Sequence, residues 1–322
     1  MQAIRKTGYL ALVLGFAQVV FGAIVRITGS GMGCGDHWPD CYGAFTPAHD
    51  APTLLVEISH RYGAAALSIA IIALVAVAWS KRAQPGVGAR GGTLRPALLA
   101  LLLVIVAAVF GAITVKMALN PFVVVTHLAI AMSLLAVLVV GVVRAGGFGA
   151  RSVPARYSRT VRSGRAAVAL TFVVLVFGAL TANTPGAAGA CQGFPWCRTI
   201  SAHGAPLWFQ ITHRVVAVLL LGHLIGIFTG VRRRAETRTV RIAAATALGV
   251  ALVQILVAAA MVETLLPAGL RSLHQALGTT LWITVVALTA LATGSSAATE
   301  IERILYESPS RGEFATPEGV ST

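Results

Sequence analysis

Charge is what this 322-residue chain has least of. Asp, Glu, Lys and Arg make up 11% of it, against about 25% in soluble globular domains. So apolar a chain cannot cover a water-facing surface, which excludes a soluble enzyme. It excludes disorder as well, because disordered chains are polar and charge-rich. Acids are the scarcer sign, 11 against 25 basic residues, for a net charge of +14. Cysteine is rare too. There are four, none in a C-x-x-C spacing, so the thioredoxin-like redox motif is absent. No ten-residue stretches alternate polar and apolar residues as the strands of a membrane β-barrel do. What abounds is hydrophobic residues, 57% of the chain, and they point to an all-α integral membrane protein.

A spanning helix needs about 20 mostly apolar residues. Eight stretches qualify, roughly 8–27, 53–80, 96–116, 122–143, 167–183, 208–230, 242–262 and 269–293. Arg5 and Lys6 give the first the look of a signal peptide. It is too long for a typical h-region and no clear A-x-A site follows, so it reads as a retained helix. Seventeen of the 25 basic residues fall on one side: Arg5 and Lys6; Lys81, Arg82, Arg90 and Arg95; Arg144, Arg151, Arg156, Arg159, Arg162 and Arg165; Arg232, Arg233, Arg234, Arg238 and Arg241. The positive-inside rule makes that side the cytoplasm and puts both termini there. The basic excess therefore reads as topology and contact with the lipid bilayer, with no nucleic-acid partner. Two outer segments, about 28–52 and 184–207, are long; the other two, about 117–121 and 263–268, are tight turns.

The chain repeats itself. Phe21-Gly22-Ala23 returns as Phe177-Gly178-Ala179, Cys34 and Cys41 as Cys191 and Cys197, Ile58-Ser59-His60-Arg61 as Ile211-Thr212-His213-Arg214, and His127 as His274. The offset is 156 at the first of these and 147 at the last. An even number of spans per half keeps the halves in one orientation, a parallel repeat about the membrane normal. The expected architecture is two four-helix bundles: an N-terminal half (1–143), a basic cytoplasmic linker (144–166), a C-terminal half (167–293) and a polar tail (294–322). Both cysteine pairs lie in the long outer segments. On an oxidising face they could close structural disulfides or form a thiol relay; zinc is less favoured with two cysteines per loop.

His60, His127, His213 and His274 lie one to two turns inside the outer ends of the even-numbered spans. Ionisable residues within a membrane are costly and usually functional. One buried histidine is most often structural; four at matched depth, two per half, favour metal or heme. Two histidines on different helices can bind a heme iron from opposite faces, whereas a bare ion would need further ligands that the spans do not offer. Arg61 and Arg214 follow their histidines and are candidate partners for anionic propionates, or else snorkel toward headgroups. His223 lies ten residues past His213 and turns to another face; His37, His49 and His203 lie in loops. Glu57, three residues before His60, shares its helix face, while the matching residue in the second half is Gln210. A carboxylate can exchange protons or stabilise a developing cation and an amide cannot, so the chemistry belongs to the first half. Glu263 sits at a turn and receives no catalytic role.

Glu57-Ile58-Ser59-His60-Arg61, Thr126-His127, Thr212-His213-Arg214, His274-Gln275, the two cysteine pairs and the duplicated eight-span layout resemble the heme A synthase family over nearly the whole chain. The resemblance implies a bacterial plasma-membrane oxidoreductase, serving terminal oxidase biogenesis, that converts heme O to heme A by successive hydroxylations of a methyl group to a formyl group, with molecular oxygen involved. It implies a resident heme b between His213 and His274, heme O between His60 and His127, and a catalytic Glu57. It also implies disulfides Cys34–Cys41 and Cys191–Cys197. The partners it implies are an electron donor and the farnesyltransferase that makes heme O. The heme sites would face outward. Two rival readings stand beside it, a quinol-linked di-heme b cytochrome and a heme transport protein. Electron transfer across the bilayer would stack hemes through its depth, and transport sites sit near the midplane; the four histidines are shallow.

Overall fold

A computed structural model describes residues 1–42, 51–150 and 158–293. The expected tail, His49, Arg151 and Arg156 lie outside the described residues. Among the described residues eight helices are long and apolar enough to cross a membrane: α1 (Gln2–Ile27), α2 (Pro52–Ser80), α3 (Leu94–Lys116), α4 (Pro121–Arg144), α5 (Ser158–Asn183), α6 (Ala205–Arg233), α7 (Arg238–Glu263) and α8 (Ala268–Thr293). This is a multi-pass helical membrane protein. The largest departure from the expected spans is α5, which begins nine residues earlier, at 158 rather than 167. Arg159, Arg162 and Arg165 end the apolar run there without ending the helix, because arginine is a good helix former.

Within each half the helices close a ring: α1 packs on α2, α2 on α3, α3 on α4 and α4 on α1, and α5 to α8 repeat the pattern. The halves meet through α4 against α8, α1 against α8 and α4 against α5. Those pairings are what a twofold relation exchanging α1 with α5 and α4 with α8 requires. The first core holds Ile71, Met132, Leu135 and Val139 and runs on into Trp282 and Val286 of α8. The Trp282 indole donates to the Met132 carbonyl at 2.8 Å, fastening the central pair. Large apolar side chains such as Ile69 and Leu256 stay 67% and 69% exposed on the outside, where the acyl chains of a bilayer would solvate them.

The starts of the even-numbered helices set the depth of the histidines. Pro52, Pro121 and Pro206 occupy the first turns of α2, α4 and α6, where a missing N–H costs nothing and the fixed φ suits a helix. Pro267 immediately precedes α8. The turns before α4 and α8 are built alike. Ala118 and Leu119 have φ of 47° and 60°, and their counterparts 147 positions on, Leu265 and Leu266, have 61° each. Left-handed backbone at a non-glycine residue costs roughly 1–2 kcal/mol, so keeping it at equivalent places marks a turn whose shape the repeat preserves.

Candidate paired heme sites under the outer loops

His60 and His213 each lie eight residues past the first residue of their helices, and His127 and His274 six past theirs. At 1.5 Å per residue that is about 12 Å and 9 Å below the helix starts. The structure brings the four histidines together as two pairs, His60 with His127 and His213 with His274. α2 and α4 sit across their ring from each other, as do α6 and α8, so each pair faces through the middle of its bundle. The rings of His213 and His274 stand with centroids 6.4 Å apart at 75°. That spacing leaves room for one metal atom between the two imidazoles, so His213 and His274 could together hold a heme iron, which would supply one-electron redox chemistry. His60 and His127 likewise lie within electrostatic range of each other. No group of three His, Cys, Asp or Glu side chains that could hold a bare metal ion occurs among the described residues.

Glycines make room for the imidazoles. A Cβ on Gly178 of α5 would lie 2.8 Å from His213 Cε1, and one on Gly22 of α1 would lie 3.1 Å from His60 Cε1. These are the glycines of the repeated Phe-Gly-Ala motif, so the motif cradles the histidine of the next helix. Ring orientation is set differently in the two halves. His213 Nδ1 donates to the Val174 carbonyl at 2.9 Å, which leaves Nε2 without a proton, the usual preparation of a metal ligand. At the counterpart position Gln18 replaces the valine. Its amide donates to the His60 carbonyl at 2.8 Å and lies 3.0 Å from His60 Nδ1. In the second half Gln254 of α7 reaches α8, donating to the His274 carbonyl at 3.0 Å and lying 3.3 Å from His274 Nε2. The Nδ1 atoms of His127 and His274 are buried without a hydrogen-bond partner among the described residues. The repeat does not reveal Gln18 and Gln254, because they sit at non-equivalent positions. Their polarity within apolar spans was the available signal.

The two long loops that carry the cysteines are tied down over the bundles. In each, a disulfide closes the loop, Cys34–Cys41 with Cα atoms 4.9 Å apart and Cys191–Cys197 with 5.1 Å. Glu57 is buried. Its Oε2 accepts the Cys34 N–H at 2.9 Å, and Oε1 pairs with Arg61. Gln210 does the same work, its Oε1 accepting the Cys191 N–H at 2.6 Å while its amide donates to Ala188 O at 3.0 Å. Arg61 also donates to the carbonyls of His37, Pro39 and Asp40, and Arg214 to those of Cys191, Gly193 and Pro195. Both guanidinium groups are thus engaged by loop backbone. Gly33 lets the first loop touch down, since a Cβ there would lie 2.5 Å from the Thr53 carbonyl. The far side of each loop reaches the third helix of its bundle: Asp36 meets Lys116 at 3.8 Å, and Arg198 pairs with Glu263. Lys116 and Glu263 are repeat counterparts, so the same anchor exists in both halves with its charges reversed. Of the other histidines, His223 donates to the Ser163 carbonyl at 2.9 Å, His37 packs on Tyr42, and His203 is exposed in a loop.

The family model for cytochrome oxidase assembly proteins, COX15-CtaA, matches residues 5–286. A Bacillus pumilus protein named heme A synthase is 28% identical over 228 residues, spanning 68% of this chain and 71% of that protein. A heme A synthase of Lysinibacillus sphaericus is 30% identical over 228 residues, or 66% of this chain and 68% of the relative. One from Halalkalibacterium halodurans is 31% identical over 204 residues, 62% and 66% of the two chains. With its repeated histidine pairs under disulfide-closed loops and a family match over most of its length, this chain belongs to the COX15-CtaA family of cytochrome oxidase assembly proteins.

Proposed function

We infer that the chain is a heme A synthase, an oxidoreductase that converts the methyl group of heme O to the formyl group of heme A. Two successive hydroxylations of that methyl carbon give a geminal diol, which loses water to leave the aldehyde. The observation that carries the reading is one asymmetry in a duplicated frame. Both halves hold a histidine pair under a fastened loop, and only the first puts a carboxylate, Glu57, one turn from its ligand where the second puts Gln210.

In this reading the first half (1–143) receives heme O between His60 and His127, and the second (167–293) keeps a heme b between His213 and His274. The linker 144–166 joins them on the cytoplasmic side. A bound heme b supplies one-electron redox chemistry. The chain's own part is to bind, orient and exclude water. Val174 fixes the tautomer of His213 through its carbonyl, and Gly178 gives that ring its place. Arg61 and Arg214 serve binding by holding the loops over the heme edges. Glu57 accepts protons near the methyl carbon or stabilises positive charge developing there, as a carboxylate held by a backbone N–H and a guanidinium can. Molecular oxygen is the oxidant. A separate donor returns the electrons, and the farnesyltransferase that makes heme O supplies the substrate. The basic loops and termini face the cytoplasm and the heme sites face outward. Heme extraction from cells given a heme O supply tests the reading: heme A or hydroxylated heme O is expected, and unchanged heme O would refute it.

A further inference from the structure

Two arginines at the outer edge of the interface between the halves have no acidic partner among the described residues. Arg26 lies next to the outer end of α1, and Arg271 lies three residues into α8. Both are half-buried. Arg26 reaches across the interface and donates from Nη1 to the Ala182 carbonyl of α5 at 3.1 Å. It lies within electrostatic range of Arg271, as the packing of α1 on α8 allows. A guanidinium carries five donors; among the described residues Arg26 makes only that single bond and Arg271 makes none. Two adjacent cations half-removed from water, with their donors unused, are unfavourable unless an anion joins them.

Their placement says where the anion lies. Ala182 is one helical turn outward of Gly178, the glycine against His213. Arg271 is one turn outward of His274 on the same face of α8. Arg26 Nη1 therefore sits on the turn above Gly178, and Arg271 stems from the turn above His274, each about 5 Å outward along its helix. The repeat makes this one-sided. The counterpart of Arg26 in the second half is Ala182 itself, and the counterpart of Arg271 in the first half is Val124.

We propose that Arg26 and Arg271 form a carboxylate-binding rim for the propionates of the heme held between His213 and His274. Arg26 is delivered from the first half. The second site is then incomplete without the first, and it holds its heme more firmly than the first site, which lacks both cations at the equivalent positions and must release its product. This rests on the reading of His213 and His274 as the axial pair of a resident heme.

The test uses the full chain in lipid nanodiscs, once with neutral lipid alone and once with added phosphatidylglycerol. Loss of low-spin heme b to excess apomyoglobin is timed for wild type, Arg26→Gln, Arg271→Gln and Arg271→Lys, alongside the heme reduction potential. Each glutamine variant should lose heme about tenfold faster or more, the scale of one hydrogen bond to a charged group. Its potential should fall, because removing a cation disfavours the electron-rich reduced state. Arg271→Lys should recover part of both, keeping the charge without the fork. Unchanged retention and potential in both glutamine variants would overturn the proposal while leaving the axial assignment intact. Effects seen only with phosphatidylglycerol would assign the pair to lipid headgroups and overturn it too. A wild-type protein without low-spin heme, or one whose signal survives His213→Ala and His274→Ala, would overturn the axial reading and the rim with it.

Discussion

Replacing Glu57 by glutamine copies into the first half what the second half already contains. Gln210 shows that an amide can hold the loop: its oxygen takes the Cys191 N–H at 2.6 Å, as Glu57 takes that of Cys34 at 2.9 Å. The substitution keeps that acceptor and loses the charge-assisted bond to Arg61, worth about 1.5–3 kcal/mol in isolation. Arg61 retains the carbonyls of His37, Pro39 and Asp40, just as Arg214 manages with three carbonyls of its own loop. The net destabilisation should therefore be about 1–2 kcal/mol, within the margin of a typical fold. Removing a proton-carrying or charge-stabilising carboxylate should slow conversion by about 10²–10⁴-fold, or roughly 3–5 kcal/mol of barrier. Three readouts on one preparation separate these effects: heme O conversion by chromatography of extracted hemes, the low-spin heme b spectrum, and the disulfide state by mass spectrometry. Lost conversion with intact heme b and both disulfides is the expected result. Conversion within about threefold of wild type would refute the catalytic role of Glu57. Lost conversion together with a released loop would reduce Glu57 to a fastener.

Three further outcomes follow from the geometry. Gly178→Ala places a Cβ 2.8 Å from His213 Cε1, an overpacking cost of about 1–3 kcal/mol, so heme b content and its low-spin spectrum should degrade; full heme retention would contradict the cradle. Gly22→Ala makes the milder 3.1 Å contact with His60 and should slow conversion while leaving heme b in place, which parallel heme and activity assays check. Cys34 and Cys41 are 0% exposed while Cys197 is open to solvent, so a polar reductant with thiol alkylation should label Cys191 and Cys197 first; labelling in the reverse order would rule against a buried, structural first disulfide.

Much of this was legible in the sequence because it depends on local periodicity. The eight spans follow from runs of apolar residues. The matched depth of His60, His127, His213 and His274 follows from where each helix can start. The rest depends on contacts made across space. That Glu57 and Gln210 pin the first cysteine of each loop joins residues 23 and 19 apart through irregular backbone, which no helical period reports. Arg61 and Arg214 stand out in the sequence as candidate propionate partners, but their bonds to loop carbonyls depend on irregular backbone that spacing does not report. Arg26 and Arg271 leave no mark in the repeat because neither recurs in the other half, where Ala182 and Val124 stand. The anchor shared by Lys116 and Glu263 was hidden because its charges swap sign between the halves. The Phe-Gly-Ala motif was visible as a repeat, but the need for glycine appears only once an imidazole is seen pressed against it.

The central claim is that this chain oxidises the methyl group of heme O, and the most direct measurement is the identity of the heme it produces. The full-length protein is expressed aerobically in a host that makes heme O but no heme A, and total hemes are extracted and separated by chromatography with mass detection. Heme A, accompanied by hydroxylated heme O, is the predicted result, and Glu57→Gln should abolish both. Heme O recovered unchanged from a preparation that still carries its low-spin heme b would contradict the account.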